Sequence, residues 1–201
     1  MSYDISTKII VIGDTCVGKT ALVESLVEKK FDPGNCCPTI GVEFRTIITK
    51  IGNKRVKGLI WDTAGQESYR SLINGYYRGC AAAIIVFDVT NAESFRNVEY
   101  WREEMRKNNP GKKVAEVLVA NKTDKRNRVV DKEAIDYYCR MNDITCFETS
   151  ARKHQNIQEF FNYLMRTVLV NNIETVSSSP GITIMDEKPN DDSVTWCKCF
   201  S

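Results

Sequence analysis

A glycine-rich octapeptide near the N-terminus has the residue types and the spacing that hold phosphate groups. Its sequence, GDTCVGKT at residues 13–20, fits the pattern G-x-x-x-x-G-K-[ST], in which the backbone curls so that its N–H groups converge on phosphate oxygens. Lys19 supplies a cation to the β- and γ-phosphates of a nucleotide, and the Thr20 hydroxyl is placed to bind Mg²⁺. The residues expected to line the phosphates are therefore Asp14, Thr15, Cys16, Val17, Gly18, Lys19 and Thr20. A plain glycine turn before a helix, with a surface lysine, is the alternative.

A second motif, LIWDTAGQE at residues 59–67, ends an apolar run with an acid. Asp62 is expected to hold Mg²⁺ through water, and Gly65 has no side chain to keep its N–H from a γ-phosphate. Gln66 can orient an attacking water, so we predict Gln66 and Lys19 as the catalytic residues. A D-x-x-G turn alone is common, and it becomes informative only because a phosphate loop precedes it.

Two further motifs have the chemistry to recognise a purine. In VANKTD (119–124) the polar residues Asn121 and Asp124 follow an apolar run, and the stem of Lys122 can cover the plane of a base. The Asp124 carboxylate can accept from N1–H and the 2-amino group of guanine, whereas adenine lacks both donors. In ETSA (148–151) the Ala151 N–H can meet guanine O6, and its neighbours Ser150 and Arg152 are included in the predicted nucleotide site. A helix cap and turn residues are the alternative for Asn121 and Asp124.

The elements that must position these motifs alternate between two kinds. Apolar, β-branched runs predict strands at 8–13, 42–51, 55–63, 81–89, 115–121 and 145–150, and helical periodicity is found at 20–28, 94–107, 132–141 and 157–170. Only Gly52-Asn53-Lys54 separates the second and third strands, which indicates a hairpin. We therefore predict an α/β protein of the P-loop NTPase fold, with a six-stranded, mostly parallel sheet, one antiparallel strand and helices on both faces.

Composition narrows the function classes. The 201 residues suit one domain, no apolar run approaches the roughly 20 residues of a membrane span, and we expect no secretory signal at the N-terminus. The eight cysteines include no C-x-x-C pair that would start a zinc site. Residues 171–201 carry five acids and two bases, a net charge of −3, which leaves +5 for residues 1–170. Because residues 1–170 contain no dense cluster of lysine and arginine, we expect no nucleic-acid partner.

The four motifs, in this order and spacing, resemble those of the Ras superfamily of small GTPases from residue 7 to about 170. Within it, TIGVEF (39–44), LIWDTAGQE (59–67), YRSLINGYYRG (69–79) and AAIIVFDVT (82–90) are similar to the Rab family. The resemblance implies a GTPase domain at residues 1–170, with GTP or GDP and Mg²⁺ bound. It implies a switch that hydrolyses GTP slowly and regulates vesicle trafficking at membranes.

The resemblance also assigns roles to individual residues. Thr39 is expected to add its hydroxyl to Mg²⁺, and Cys36 is included among the residues over the nucleotide. Because no tyrosine is present in this segment to close over the phosphates, we expect a looser nucleotide lid. Effectors are expected to contact an aromatic triad of Phe44, Trp61 and Tyr76, for which plain core packing is the alternative.

Regulators follow from the same resemblance. An exchange factor, a GTPase-activating protein, a GDP-dissociation inhibitor and effectors are the expected partners, and the folded domain is expected to be a monomer. The activating protein is needed because no basic side chain near the phosphate loop has the place of a built-in arginine finger. Two alternatives stay open: a nucleotide-dependent binding module with negligible hydrolysis, and a P-loop ATPase or kinase.

The chain closes on WCKCFS, with Cys197 and Cys199 one residue apart. The resemblance implies prenylation of these cysteines at the end of a flexible acidic tail, residues 171–201, although C-a-a-X does not fit. Unmodified thiols and metal binding are the alternatives. A single lipid binds membranes only marginally, and an acidic tail is repelled by anionic lipids, so we expect two. The protein is then expected on the cytoplasmic face of an intracellular membrane, cycling with the cytosol.

Overall fold

The computed structural model describes residues 2–31, 41–63 and 75–177. Within these ranges six strands form one sheet in the order β2-β3-β1-β4-β5-β6. The strands are β1 (Ile5–Ile12), β2 (Val42–Ile51), β3 (Lys54–Thr63), β4 (Ala82–Asp88), β5 (Ala115–Asn121) and β6 (Cys146–Glu148). All neighbouring strands are parallel except β2 and β3. The prediction of a mostly parallel sheet with one antiparallel strand is confirmed.

Helices cover both faces of this sheet. The helices among the described residues are α1 (Lys19–Glu28), α2 (Ala92–Arg96), α3 (Val98–Lys107), α4 (Lys132–Asn142) and α5 (Ile157–Ser177). Alternate residues of β1 belong to opposite cores: Ile9 packs with the apolar side chains of α1 and α5, and Ile10 packs with those of α3 and α4. Each fully buried aliphatic side chain contributes roughly 1.5–3 kcal/mol. The parallel strands are apolar on both faces because each face is covered.

Several element boundaries differ from those predicted; β1, for example, begins at Ile5 rather than at residue 8. The Asn91 side chain accepts from the N–H groups of Glu93 and Ser94, so helical structure begins at Ala92 rather than at residue 94. Asn97 then separates α2 from α3 where one helix was predicted. The last helix continues past Val170 to Ser177, and the division into a domain and a tail remains a prediction. In the described ranges, no helix has both the length and the apolar character that crossing a bilayer requires.

Candidate functional site

The residues of the candidate site lie at the carboxyl ends of four parallel strands, and three of these ends carry predicted site motifs. Gly13 comes after β1, Asp62 lies at the end of β3, Asp88 ends β4 and Asn121 ends β5. The register places Val11 beside Asp62 and Asp88 beside Asn121, which brings the four strand ends to one edge of the sheet. Ligands of open α/β sheets bind at this edge.

The phosphate loop passes close to its neighbours, and its two glycines are required there. Gly13 has φ +140°, and a Cβ on it would lie 2.1 Å from the carbonyl oxygen of Val86. Gly18 has φ +95°, and a Cβ on it would lie 2.6 Å from Nδ2 of Asn121. Cys16 adopts a left-handed φ of 59° without being a glycine, which most side chains disfavour. The loop therefore has the tight, curled backbone that its sequence predicts.

Lys19 is buried inside this loop. Its Nζ donates to the carbonyl oxygens of Gly13 at 2.9 Å and Asp14 at 2.8 Å. Burial lowers the pKa of Lys19 to about 8, although the nearby carboxylates of Asp62 and Asp14 act in the opposite direction. The lysine is thus a cation held in place before any phosphate reaches it.

Thr20 and Asp62 form the candidate Mg²⁺ site. The Thr20 hydroxyl donates to Oδ2 of Asp62 at 2.6 Å. Asp62 is 1% exposed, and burial raises its pKa to about 6 against the opposing effects of Thr20 and Lys19. Its other oxygen, Oδ1, is buried and has no hydrogen-bond partner in the described structure. Two hard oxygen donors, one of them with an unused buried lone pair, fit Mg²⁺, which takes few protein ligands and keeps several waters.

Asn121 joins the phosphate loop to the loop after β6. Its Nδ2 donates to the carbonyl oxygen of Val17 at 3.0 Å. Its Oδ1 accepts from the Thr149 hydroxyl at 3.3 Å and the Ala151 N–H at 3.4 Å. Both polar atoms of Asn121 are therefore engaged with the protein. A contact from Asn121 or from the Ala151 N–H to guanine stays a prediction.

Asp124 is fixed by the same loop. The Ser150 hydroxyl donates to Oδ1 of Asp124 at 2.6 Å, and the Lys153 N–H in turn donates to the Ser150 hydroxyl oxygen at 3.1 Å. The structure thus brings the NKTD and ETSA motifs together. Arg152, the remaining residue predicted here, is exposed.

Lys122 crosses towards the phosphate loop. Its Nζ donates to the carbonyl oxygen of Cys16 and pairs with Oδ2 of Asp88 at 2.7 Å. Lys122 thus reaches from the loop after β5 to the phosphate loop, as is needed for its stem to cover a base.

The aromatic residues predicted to meet effectors lie together. The rings of Phe44 and Trp61 are 5.1 Å apart, and those of Trp61 and Tyr76 are 5.3 Å apart. Phe44 is 52% exposed, so at least this ring is available at the surface.

Six predicted site residues lie outside the described ranges: Cys36, Thr39, Gly65, Gln66, Cys197 and Cys199.

Sequence reasoning missed three residues that shape the site. Asp88 binds Lys122, and it ends an apolar strand as Asp62 does, which was a usable signal. Asn97 and Trp101 donate to the Asp14 carboxylate at 2.8 Å and 2.7 Å. No local pattern marks these two, because the contact joins segments more than 80 residues apart.

Comparison with known proteins places the chain in a family. The Ras family model matches residues 8–170. Ras-related protein Rab-13 of Mesocricetus auratus is 38% identical over 194 residues, covering 94% of each chain. Ras-related protein RABC2a of Arabidopsis thaliana is 36% identical over 203 residues, covering 99% of this chain and 96% of the relative. The described residues of the four motifs meet at one edge of the sheet, and the chain belongs to the Ras family of small GTPases, in its Rab branch.

Proposed function

We propose that this Rab-type GTPase binds GTP and Mg²⁺ at the edge formed by β1, β3 and β5 and acts as a switch in vesicle trafficking. The main observation in support is that the Lys19 amine, the Thr20 hydroxyl and the Asp62 carboxylate meet at the curled phosphate loop. These are a cation for phosphate and two oxygen donors for a divalent metal, which is the equipment that phosphoryl transfer needs.

In this proposal the chain acts mainly by positioning. Lys19 is already held by two carbonyl oxygens, so it meets the β- and γ-phosphates without a search through rotamers. Thr20 and Asp62 would hold Mg²⁺, and Thr39 is proposed as a further ligand. The bound metal neutralises charge on the phosphates. Gln66 is proposed to orient the attacking water, with Gly65 and Thr39 sensing the γ-phosphate.

Base selection is assigned to Asp124. Ser150 holds one carboxylate oxygen of Asp124, which limits the directions that the carboxylate can take. Guanine offers N1–H and the 2-amino group to it, whereas adenine would leave a desolvated carboxylate without a donor. Guanine is therefore the proposed base.

Single-turnover hydrolysis tests the proposed chemistry. Gln66→Leu is expected to slow phosphate release strongly while leaving GTP affinity nearly intact. Gln158→Leu is the matched control, since this glutamine lies exposed on α5. An unchanged rate in Gln66→Leu would remove the role assigned to Gln66. A wild-type protein that releases no phosphate even with an activating protein would favour a binding module, and turnover of ATP would favour an ATPase.

Effector binding is proposed for the surface formed by Phe44, Trp61 and Tyr76. The exposed Phe44 ring on β2 and its contact with Trp61 on β3 support this. A pulldown with GTP-loaded protein should lose its partners in Phe44→Ala. Tyr137→Ala, which removes another exposed aromatic side chain, from α4, should keep them. Equal pulldown by both variants would argue for plain packing.

Membrane attachment is proposed through Cys197 and Cys199. The acidic tail offers no attraction to anionic lipids, so two prenyl groups are proposed. Mass spectrometry of membrane-bound protein should find two lipids, and Cys197→Ser or Cys199→Ser alone should shift the protein to the soluble fraction. A single lipid on stably bound protein would overturn this part.

A further inference from the structure

The carboxylate of Asp14 is held by residues outside the phosphate loop. Asn97 Nδ2 donates to Oδ2 of Asp14 at 2.8 Å, and the indole N–H of Trp101 donates to Oδ1 at 2.7 Å. Each carboxylate oxygen therefore has its own donor, and both donors are neutral. Asn97 and Trp101 lie one helical turn apart, and the backbone N–H of Trp101 donates to the Asn97 carbonyl oxygen at 3.2 Å. The two side chains therefore hold the two oxygens of one carboxylate from a single helical turn.

A support of this kind has an electrostatic reason. An aspartate in a loop that receives a polyphosphate brings like charges together, and that repulsion grows where water is excluded. Hydrogen bonds to Asn97 and Trp101 keep the Asp14 carboxylate directed at the start of α3. The backbone carbonyl of the same residue accepts from Lys19 Nζ at 2.8 Å. One residue thus connects the helix to the lysine that meets the phosphates.

The local structure of Asn97 agrees with this role. Asn97 precedes α3, where an asparagine side chain commonly accepts from the first helical N–H groups. Its side chain makes no such capping bond, and its amide donates to Asp14 instead. Trp101 is buried: its ring packs in the core, and its indole N–H donates to Asp14 in the phosphate loop.

We infer that Asn97 and Trp101 are positioning residues for nucleotide binding, which act by holding the Asp14 carboxylate away from the phosphates and its carbonyl on Lys19. The inference rests on the proposed function, because it requires this loop to bind GDP and GTP. It concerns how firmly nucleotide is held and leaves the chemical step to other residues.

The release of a fluorescent GDP analogue from the full chain measures this role. Asn97→Ala removes one donor, and Trp101→Phe removes the other while keeping an aromatic ring in the core. Each is expected to release the analogue about tenfold faster, which corresponds to one lost hydrogen bond to a charged group. Asn108→Ala removes a half-buried asparagine from the other end of α3, where its side-chain amide donates to the Glu104 carbonyl oxygen, and should release at the wild-type rate.

A second-site variant separates positioning from general structural damage. In an Asp14→Ala background there is no carboxylate to misplace, so Asn97→Ala and Trp101→Phe should add no further acceleration. The double variant Asp14→Ala/Asn97→Ala should also release the analogue more slowly than Asn97→Ala alone. Equal acceleration with and without Asp14, or no acceleration in Asn97→Ala, would overturn the inference. Because Asn97 is only half-buried, its variant decides the matter even if Trp101→Phe fails to fold. A wild-type chain that binds no GDP would instead overturn the proposed function.

Discussion

Thr20 and Asp62 are 42 residues apart in the chain, and a 2.6 Å hydrogen bond joins them across the floor of the phosphate site. The bond ties the start of α1 to the end of β3. It also presents two oxygens side by side, with a buried third oxygen, Oδ1 of Asp62, that has no hydrogen-bond partner in the described ranges. The pair is therefore arranged before Mg²⁺ binds.

Replacing the Thr20 hydroxyl should weaken the dependence of nucleotide binding on Mg²⁺. Thr20→Val keeps the shape of the side chain and removes one oxygen ligand, so Mg²⁺ affinity in the presence of GDP should fall at least about tenfold. The measurement is GDP release at a series of free Mg²⁺ concentrations. Thr46→Val, at an exposed position of β2, should behave as wild type. An unchanged Mg²⁺ midpoint in Thr20→Val would contradict the assignment.

Removing the Asp124 carboxylate should abolish discrimination between bases. Asp124→Ala loses two charge-assisted hydrogen bonds to guanine, each worth about 1.5–3 kcal/mol, so GTP affinity should fall by about a hundredfold or more. ATP affinity should change little. Competition binding of GTP and ATP measures both. Asp131→Ala is the control, because this aspartate is exposed and makes no capping bond to α4. A retained preference for GTP would assign recognition elsewhere.

A methyl group on Gly13 should damage the fold as well as the site. In Gly13→Ala the Cβ would lie 2.1 Å from the Val86 carbonyl oxygen, at a φ of +140° that alanine avoids. We expect a loss of about 3 kcal/mol or more in the free energy of unfolding, measured by chemical denaturation. At Gly75 a Cβ would meet nothing within 4 Å, so Gly75→Ala should leave stability nearly unchanged. Similar stability in both variants would show that β1 and β4 can separate locally.

A buried arginine should matter far more to stability than its exposed neighbour. Arg102 has a side chain that is 2% exposed and pairs with Glu116 at 2.8 Å and Glu99 at 3.2 Å. Arg106 pairs with the same two acids but is 50% exposed. Arg102→Met should cost about 3–5 kcal/mol because it leaves Glu116 without its buried partner, whereas Arg106→Met should cost at most about 1 kcal/mol. Denaturant titration of the two variants compares them directly.

The same cluster predicts a pH dependence at high pH. Burial, together with the hydrogen bond to Glu99, raises the pKa of Tyr138 to about 12 from an ordinary value of 10.0. Between these values the unfolded chain loses the tyrosine proton and the folded chain keeps it, so the free energy of unfolding should fall as pH rises from 10 to 12. Tyr138→Phe should flatten that part of the profile, and Tyr137→Phe should not. Parallel profiles for all three proteins would contradict the prediction.

The strands and the phosphate loop were predictable because their signals are local. The runs at 42–51 and 115–121 match β2 and β5 residue for residue. The β5 run is apolar because both of its faces are covered, whereas the edge strand β2 was marked by its β-branched residues and the following hairpin turn. The order of the motifs then placed Lys19, Thr20 and Asp62 at one edge of the sheet.

What the sequence leaves out is how side chains from distant segments share their donors. Asn121 looks like a base-reading residue, yet its amide joins Val17 to Thr149 and Ala151. The contacts of Asp14 with Asn97 and Trp101 depend on where α3 packs against the phosphate loop. The residues next to Asp14 and next to Asn97 in the sequence do not specify that packing. The start of α2 was missed for a different, local reason: the Asn91 side chain caps the helix two residues before the predicted start.

The bridge made by Asn121 has a thermodynamic consequence. Because one side chain is bonded to the loop that takes the phosphates and to the loop that takes the base, ordering either loop lowers the entropy that remains to be lost in the other. In the proposed nucleotide site we therefore expect the phosphates and the base to bind with favourable coupling, transmitted through Asn121. On this expectation, nucleotide affinity depends on the two joined loops together, and neither loop supplies it alone.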